Sequence, residues 1–305
     1  MSLRAIGTVI LPPHRGPGGF DHASVYRGAD RLYVAHTAND GVEVIDLGGR
    51  RHEATLDGFP GVAGAAVCEQ RELLVATCRN EGTVALATLD DPATIQRIRV
   101  GPRPNGLALG TGTGCALAAS IGGDSTGPSL AIIELDRGAV LATTPVPGRP
   151  RWTLYDEGAG AFYVNIAAPA QILVVSDAPP FDILRSIAIP APGPHGLDLD
   201  QRRGLLHCAC DGGTVVTIEA TSGRVVAQVP IAGGPDVVFF NPRRDRLYVA
   251  IGEPGVLQSI DTSVGRVVET IATEKGAHTC GFDAEREHIY ALLPGAHAAV
   301  ILGEG

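Results

Sequence analysis

Short apolar runs of five to eight residues, broken by turns rich in Gly, Pro, Asp and Asn, recur along the whole chain. The run Arg31-Leu32-Tyr33-Val34-Ala35 returns as Arg246-Leu247-Tyr248-Val249-Ala250, and weaker copies begin at Glu72, Ala161, Gly204 and His288. A degenerate seventh copy begins at Cys115. Each copy is followed by a turn and another apolar run, clearest at Gly41–Asp46, Gly213–Glu219 and Gly255–Asp261. A third run then follows, clearest over Ser222–Val229 and Val264–Ile271. Ahead of each copy lies a Gly/Pro-rich lead-in and one more short apolar stretch, as in Gly234–Phe240. One unit is therefore four short strands, rich in the β-branched and small apolar residues that suit a buried pleated surface.

Anchoring the units at His22, Ala63, Asn105, Arg151, His195, Asp236 and His278 spaces them by 41 to 46 residues. A four-stranded repeat of that length predicts a β-propeller blade. No stretch of helical length shows a 3.6-residue apolar period with caps, which excludes a helical solenoid. The expected fold is all-β: a single seven-bladed β-propeller over residues 1–305. The last unit ends after three strands, at Ala299–Leu302. Arg4–Leu11 resembles the fourth strand of the preceding unit, Arg266–Ile271. Residues 4–11 are thus expected to complete the last blade and close the ring.

The succession Leu-Tyr-Val-Ala, Gly-x-Val-x-Val-Ile-Asp, Gly-Arg-x-Val and Gly-x-Pro-Asp resembles the YVTN-type repeats of YncE-like seven-bladed propellers and, more distantly, lactonase-type propellers. The resemblance spans the chain, is closest in units one, five and six, and is loose in units three and four. It implies the propeller fold. Members of that family are described variously as surface-layer, redox-associated or hydrolase-like proteins, so it transfers no catalytic set.

Composition narrows the partners. A formal net charge of -9 and only 5% aromatic residues argue against nucleic acid and anionic membranes, and no run of 18 apolar residues is present. The six cysteines form no CxxC pair and read as buried small hydrophobes. Cys208 and Cys210 are two apart on one strand and poorly placed to bridge, so a reducing compartment fits. Met1–Pro12 does not have the pattern of a signal peptide. A cytoplasmic location is expected if the chain starts natively at Met1, and a periplasmic or secreted one if a leader preceded it.

Candidate chemistry gathers where the seven units converge. Propeller ligands usually sit at the mouth of the central channel, and six of the seven anchor residues are polar. His22, His195 and His278, with Asp236 as the carboxylate, form a candidate set for a divalent metal. Without a metal, His195 and His278 are candidate acid–base residues. The same side chains could instead satisfy backbone groups and channel water. Arg103, Arg149 and Arg151, stiffened by neighbouring prolines, with Asn105 and Trp152, form a candidate clamp for a carboxylate or phosphate. Of the other histidines, His36 and His297 could reach one common face, and His207 reads as packed core. His14, His52 and His288 read as solvent-exposed. The glycine-rich run 110–114 has no helix after it to bind phosphate. No nucleophile elbow or Walker motif is present. Three readings follow: a binding propeller for a small anionic ligand, with or without a divalent metal; a metal- or His-dependent hydrolase or lyase on a small carboxylated substrate; and a scaffold for a protein partner.

Overall fold

The computed structural model describes residues 2–110 and 112–304, so Thr111 of the glycine-rich run lies outside the described residues. Seven antiparallel sheets of four strands stand around a central channel. The innermost strands are Phe20–Tyr26, Val62–Cys68, Pro104–Gly110, Pro150–Asp156, Pro194–Asp200, Pro235–Asn241 and Cys280–Asp283. They open blades one to seven in chain order, and each touches the inner strands on either side, which closes the circle.

Burial within a blade follows from what each strand faces. Second and third strands, such as Arg246–Ile251 and Val256–Asp261, have five and four successive buried residues, because a neighbouring blade covers each face. The outer strand Arg266–Ala272 alternates exposed and half-buried positions, because one face meets water. The core consists of seven apolar clusters, each between two adjacent blades. Tyr33, Val44, Leu74 and Ala76 join blades one and two. Val9, Tyr290, Leu292 and Ile301 join blade seven to Leu32, Val34 and Ile45 of blade one.

The turn between first and second strands requires a left-handed residue in every blade. Gly114, Gly160 and Gly204 occupy it in blades three to five, where φ lies between 59° and 70°. Asp30, Glu72, Asp245 and Glu287 accept the same conformation in the others, with φ between 48° and 58°.

The N-terminal strand Leu3–Ile10 pairs antiparallel with Ala298–Glu304 and forms the outer strand of blade seven. Chain closure is therefore hydrogen-bonded, with Leu3 and Val9 buried in the clusters on either side of that blade.

Candidate functional site: the top mouth of the channel

The inner strands share one register, and it corrects the sequence reading in blade one. Five of the inner strands lose pairing with their neighbour for two residues near their start, as between Phe20 and Ala23 or Pro194 and Leu197, and the strand of blade three does so for one, Asn105. Counting from that point aligns Asp21 with Ala63, Asn105, Arg151, His195, Asp236 and His278. His22 is one residue further on. Its equivalents are Gly64, Gly106, Trp152, Gly196, Val237 and Thr279. Three are glycine because blades converge here: a Cβ on Gly106 would lie 2.5 Å from the Arg151 carbonyl oxygen.

His22 and Trp152 stand at this position in blades one and four, which face each other across the ring. Their ring centroids are 4.3 Å apart. Burial lowers the His22 pKa, so the imidazole that meets the indole is neutral. The pair forms a floor. Above it is a cavity of ≈ 390 Å³ lined by Asp21, Arg79, Asn105, Arg149, His195, Asp236 and His278, among others. Below it is an apolar chamber lined by Leu109, Leu154, Leu197 and Phe239.

The cavity walls form two hydrogen-bonded groups. On one side Asp236 lies 3.2 Å from His195 Nε2 and 2.8 Å from His278 Nδ1. His195 Nδ1 reaches Asp211 at 2.8 Å, and Arg151 reaches the other oxygen of Asp211 at 3.3 Å. Burial opposes charge on His195, but Asp236 and Asp211 outweigh it and lift the pKa to about 9. Burial also opposes charge on Asp236, yet the two imidazoles hold its pKa well below the usual carboxylate range. The hydrogen bond to Asp236 raises His278 in turn. On the other side Arg79 bridges Asp21, at 2.7 Å, and Asn105, at 2.9 Å.

Arg149 differs from these. It lines the cavity, and its guanidinium has no carboxylate or hydrogen-bond partner among the described residues. Burial, then Arg151, Arg79 and Arg103, lower its pKa, so it stands in a field of like charge. Around the cavity the guanidinium groups of Arg79, Arg149 and Arg151 and the imidazolium of His195 face the carboxylates of Asp21, Asp211 and Asp236. A protein of net charge -9 thus has a surplus of positive charge at its mouth. The opposite face carries no such surplus: there ion pairs join one blade to the next, as in Arg286–Asp30, Arg71–Asp136 and Arg203–Asp245.

Of the residues singled out from sequence, Asn105, Arg149, Arg151, Trp152, His195, Asp236, His278 and His22 meet at this cavity. Arg103 does not. Its guanidinium bonds the Gly122 carbonyl and lines a separate recess beside Glu81 and Arg99. The quartet His22, His195, Asp236 and His278 comes together on the lining of this one cavity. Both His195 nitrogens face carboxylates, and His22 faces Trp152. As the side chains stand, no group of three or more His, Cys, Asp or Glu among the described residues is gathered to hold a metal ion. Sequence reading missed Asp21, Arg79 and Asp211. Arg79 and Asp211 each directly follow a second strand, so the repeat register would have found them. His14, His52 and His288, expected to be exposed, are half-buried. All six cysteines are free and buried.

The fold and its mouth define a class, the seven-bladed β-propeller with a polar cavity at one end of its channel. No family model matches the chain, and no curated protein matches it in sequence. Among solved structures it is similar to a chain of Kuenenia stuttgartiensis hydrazine synthase, with a TM-score of 0.84 and 12% identity over 96% of this chain and 97% of that one. A likeness at that identity shows the fold.

Proposed function

We propose that this protein binds a small organic anion, a carboxylate or phosphate ester, in the top mouth of its channel. The observation that carries the reading is Arg149, a guanidinium with no partner beside Arg79 and Arg151 above an aromatic floor. An anion with an apolar body would find donors on the wall and a flat surface at Trp152 and His22. The cavity volume is in the range of small-molecule sites. Arg151, Asn105 and His195 complete the proposed contacts. The YVTN/YncE-like repeat motif is compatible with this reading and supplies no activity of its own.

Titration calorimetry at low ionic strength with malonate, citrate and glycerol 3-phosphate tests it. Saturable one-to-one binding of at least one probe, weakened in Arg149→Gln, supports the proposal. No saturable binding, or binding indifferent to Arg149, overturns it.

The Asp236–His278 pair favours a second reading, a lyase or hydrolase on the same class of anion. His278 is 37% exposed and faces the cavity, and its bond to Asp236 raises its pKa, so it suits proton donation to a leaving group. In this reading His195 holds Asp236 in place. Turnover of a bound probe that disappears in His278→Gln, with binding retained, is its signature.

A further inference from the structure

One carboxylate stands alone in the lower half of the channel. Below the floor of His22 and Trp152 the seven inner strands continue through residues 23–25, 65–67, 107–109, 153–155, 197–199, 238–240 and 280–282, and Asp198 is the only charged residue among them. Asp198 lines the apolar chamber beneath the floor, ≈ 290 Å³ in volume, with Trp152, Leu154, Tyr155, Leu197 and Phe239. It also lines a recess of ≈ 440 Å³ that shares Leu154 and Tyr155 with the chamber and reaches the exposed turn at Gln201 and Arg202 on the lower face. Around that face ion pairs join neighbouring blades at Arg27–Glu69, Arg71–Asp136, Arg203–Asp245, Arg244–Glu287 and Arg286–Asp30. None among the described residues joins blade four to blade five there, so no ion pair spans the recess between Tyr155 and Arg202.

We propose that the lower half of the channel binds a small organic cation, an ammonium group on an apolar body, with Asp198 as its counter-ion. The site lies across the floor from the anion cavity and does not depend on it. The first support is charge. Asp198 accepts from the amides of Leu199 at 2.8 Å and Phe240 at 2.6 Å, one on each oxygen, and forms no ion pair among the described residues. Each carboxylate oxygen has a further lone pair to offer. Burial pushes its pKa up to about 6, against the pull of the two amides. His207, opposite it on the second strand, brings no positive charge: burial lowers its pKa to about 4, and its ring shares a hydrogen bond with Thr217. A buried carboxylate without a cation is costly, and a bound ammonium supplies one.

The second support is the walls. Trp152, Tyr155 and Phe239 are the aromatic surfaces to which an organic cation is drawn. The Tyr155 hydroxyl donates to Asp177 at 2.8 Å, which fixes that ring. Leu109, Leu154, Leu197 and Val238 supply apolar surface for the body of the ligand. The same lining excludes other classes. An anion would meet Asp198, and a bare metal ion would find one carboxylate where it needs several oxygen ligands.

The test is calorimetry of the full chain with benzylamine and its neutral isostere benzyl alcohol, alongside the fluorescence of Trp152, the sole tryptophan. One benzylamine per chain is expected, with a change in Trp152 emission and at least ten-fold weaker binding of benzyl alcohol. Asp198→Asn should lower benzylamine affinity ten-fold or more and leave benzyl alcohol within two-fold. Phe239→Leu keeps the carboxylate and both amides, and should weaken benzylamine three-fold or more. It tests the site even where Asp198→Asn does not fold. No saturable binding, equal affinity for amine and alcohol, or full benzylamine affinity in either variant overturns the proposal. So does a loss in Asp211→Asn equal to that in Asp198→Asn, which would put the cation in the mouth.

Discussion

His22 and Trp152, on inner strands that face each other across the ring, meet with their rings tilted by 52° and close the channel between its two ends. Elsewhere at that position the chain has glycine, Val237 or Thr279, so these two residues alone span the gap with aromatic rings. The floor gives the mouth its depth. Trp152→Ala should therefore join the upper cavity to the apolar chamber below. The expected result is a loss of about 2–3 kcal/mol of stability and weaker binding of the anion probes, with Trp152→Phe in between. Denaturant unfolding and calorimetry check both. Unchanged probe affinity in Trp152→Ala would show that the floor takes no part in binding.

Arg149 offers a cleaner separation of binding from folding. It is exposed and unpaired, so Arg149→Gln should change stability by less than about 0.5 kcal/mol. A lost charged hydrogen bond is worth about 1.5–3 kcal/mol, so probe affinity should fall by 10- to 100-fold. Arg103→Gln, outside the cavity, should leave affinity within about two-fold. Equal losses from both variants would indicate a diffuse field instead of a specific contact.

Gly196 links blade packing to the mouth. A Cβ there would collide with the backbone carbonyl of Asp236 in the next blade. Gly196→Ala must push that strand outward, at a cost on the order of 2–3 kcal/mol. The displaced strand carries Asp236, so the His278 contact at 2.8 Å and the binding of anion probes should suffer together. Gly204→Ala, where a Cβ would meet nothing within 4 Å, is the control for backbone strain, since φ is +64° there. If the two variants lose the same stability and both keep full probe affinity, the close approach of blades is not what holds Asp236.

The repeat made the blades legible because their apolar periodicity is dictated by burial between neighbours, and the similarity of Arg4–Leu11 to Arg266–Ile271 exposed the closing strand. The mouth was legible where its residues begin inner strands, as with Arg151, His195 and Asp236. It failed by one residue in blade one, since Asp21 and His22 are both polar and only the pairing of Phe20 with His36 fixes the register. Arg79 and Asp211 were hidden because a charged residue after a second strand looks like any solvated turn until the blades are placed in a ring. The ring contact between His14 and His297 joins segments nearly the length of the chain apart. Only closure brings them together.

His195 should make the protein's stability depend on pH. Its pKa is about 9 in the folded chain against 6.5 for an ordinary histidine. A raised pKa means that the folded state holds the proton more tightly, so the stabilisation is fully present below pH 6.5 and is lost as pH rises through about 9. The side chain is 18% exposed, and the change should amount to roughly 2–3 kcal/mol. The same proton contributes to the positive charge of the mouth, so affinity for anion probes should fall over the same interval. His195→Gln removes this titrating group and should reduce the slope of both profiles between pH 6.5 and 9, the remainder coming from His278, at a lower overall stability because Asp211 and Asp236 lose their shared cation. Thermal unfolding and calorimetry at half-unit pH steps measure the two curves. A parent profile that is flat over this interval, or one unchanged in His195→Gln, would mean that the imidazole is not held as a cation between the two carboxylates.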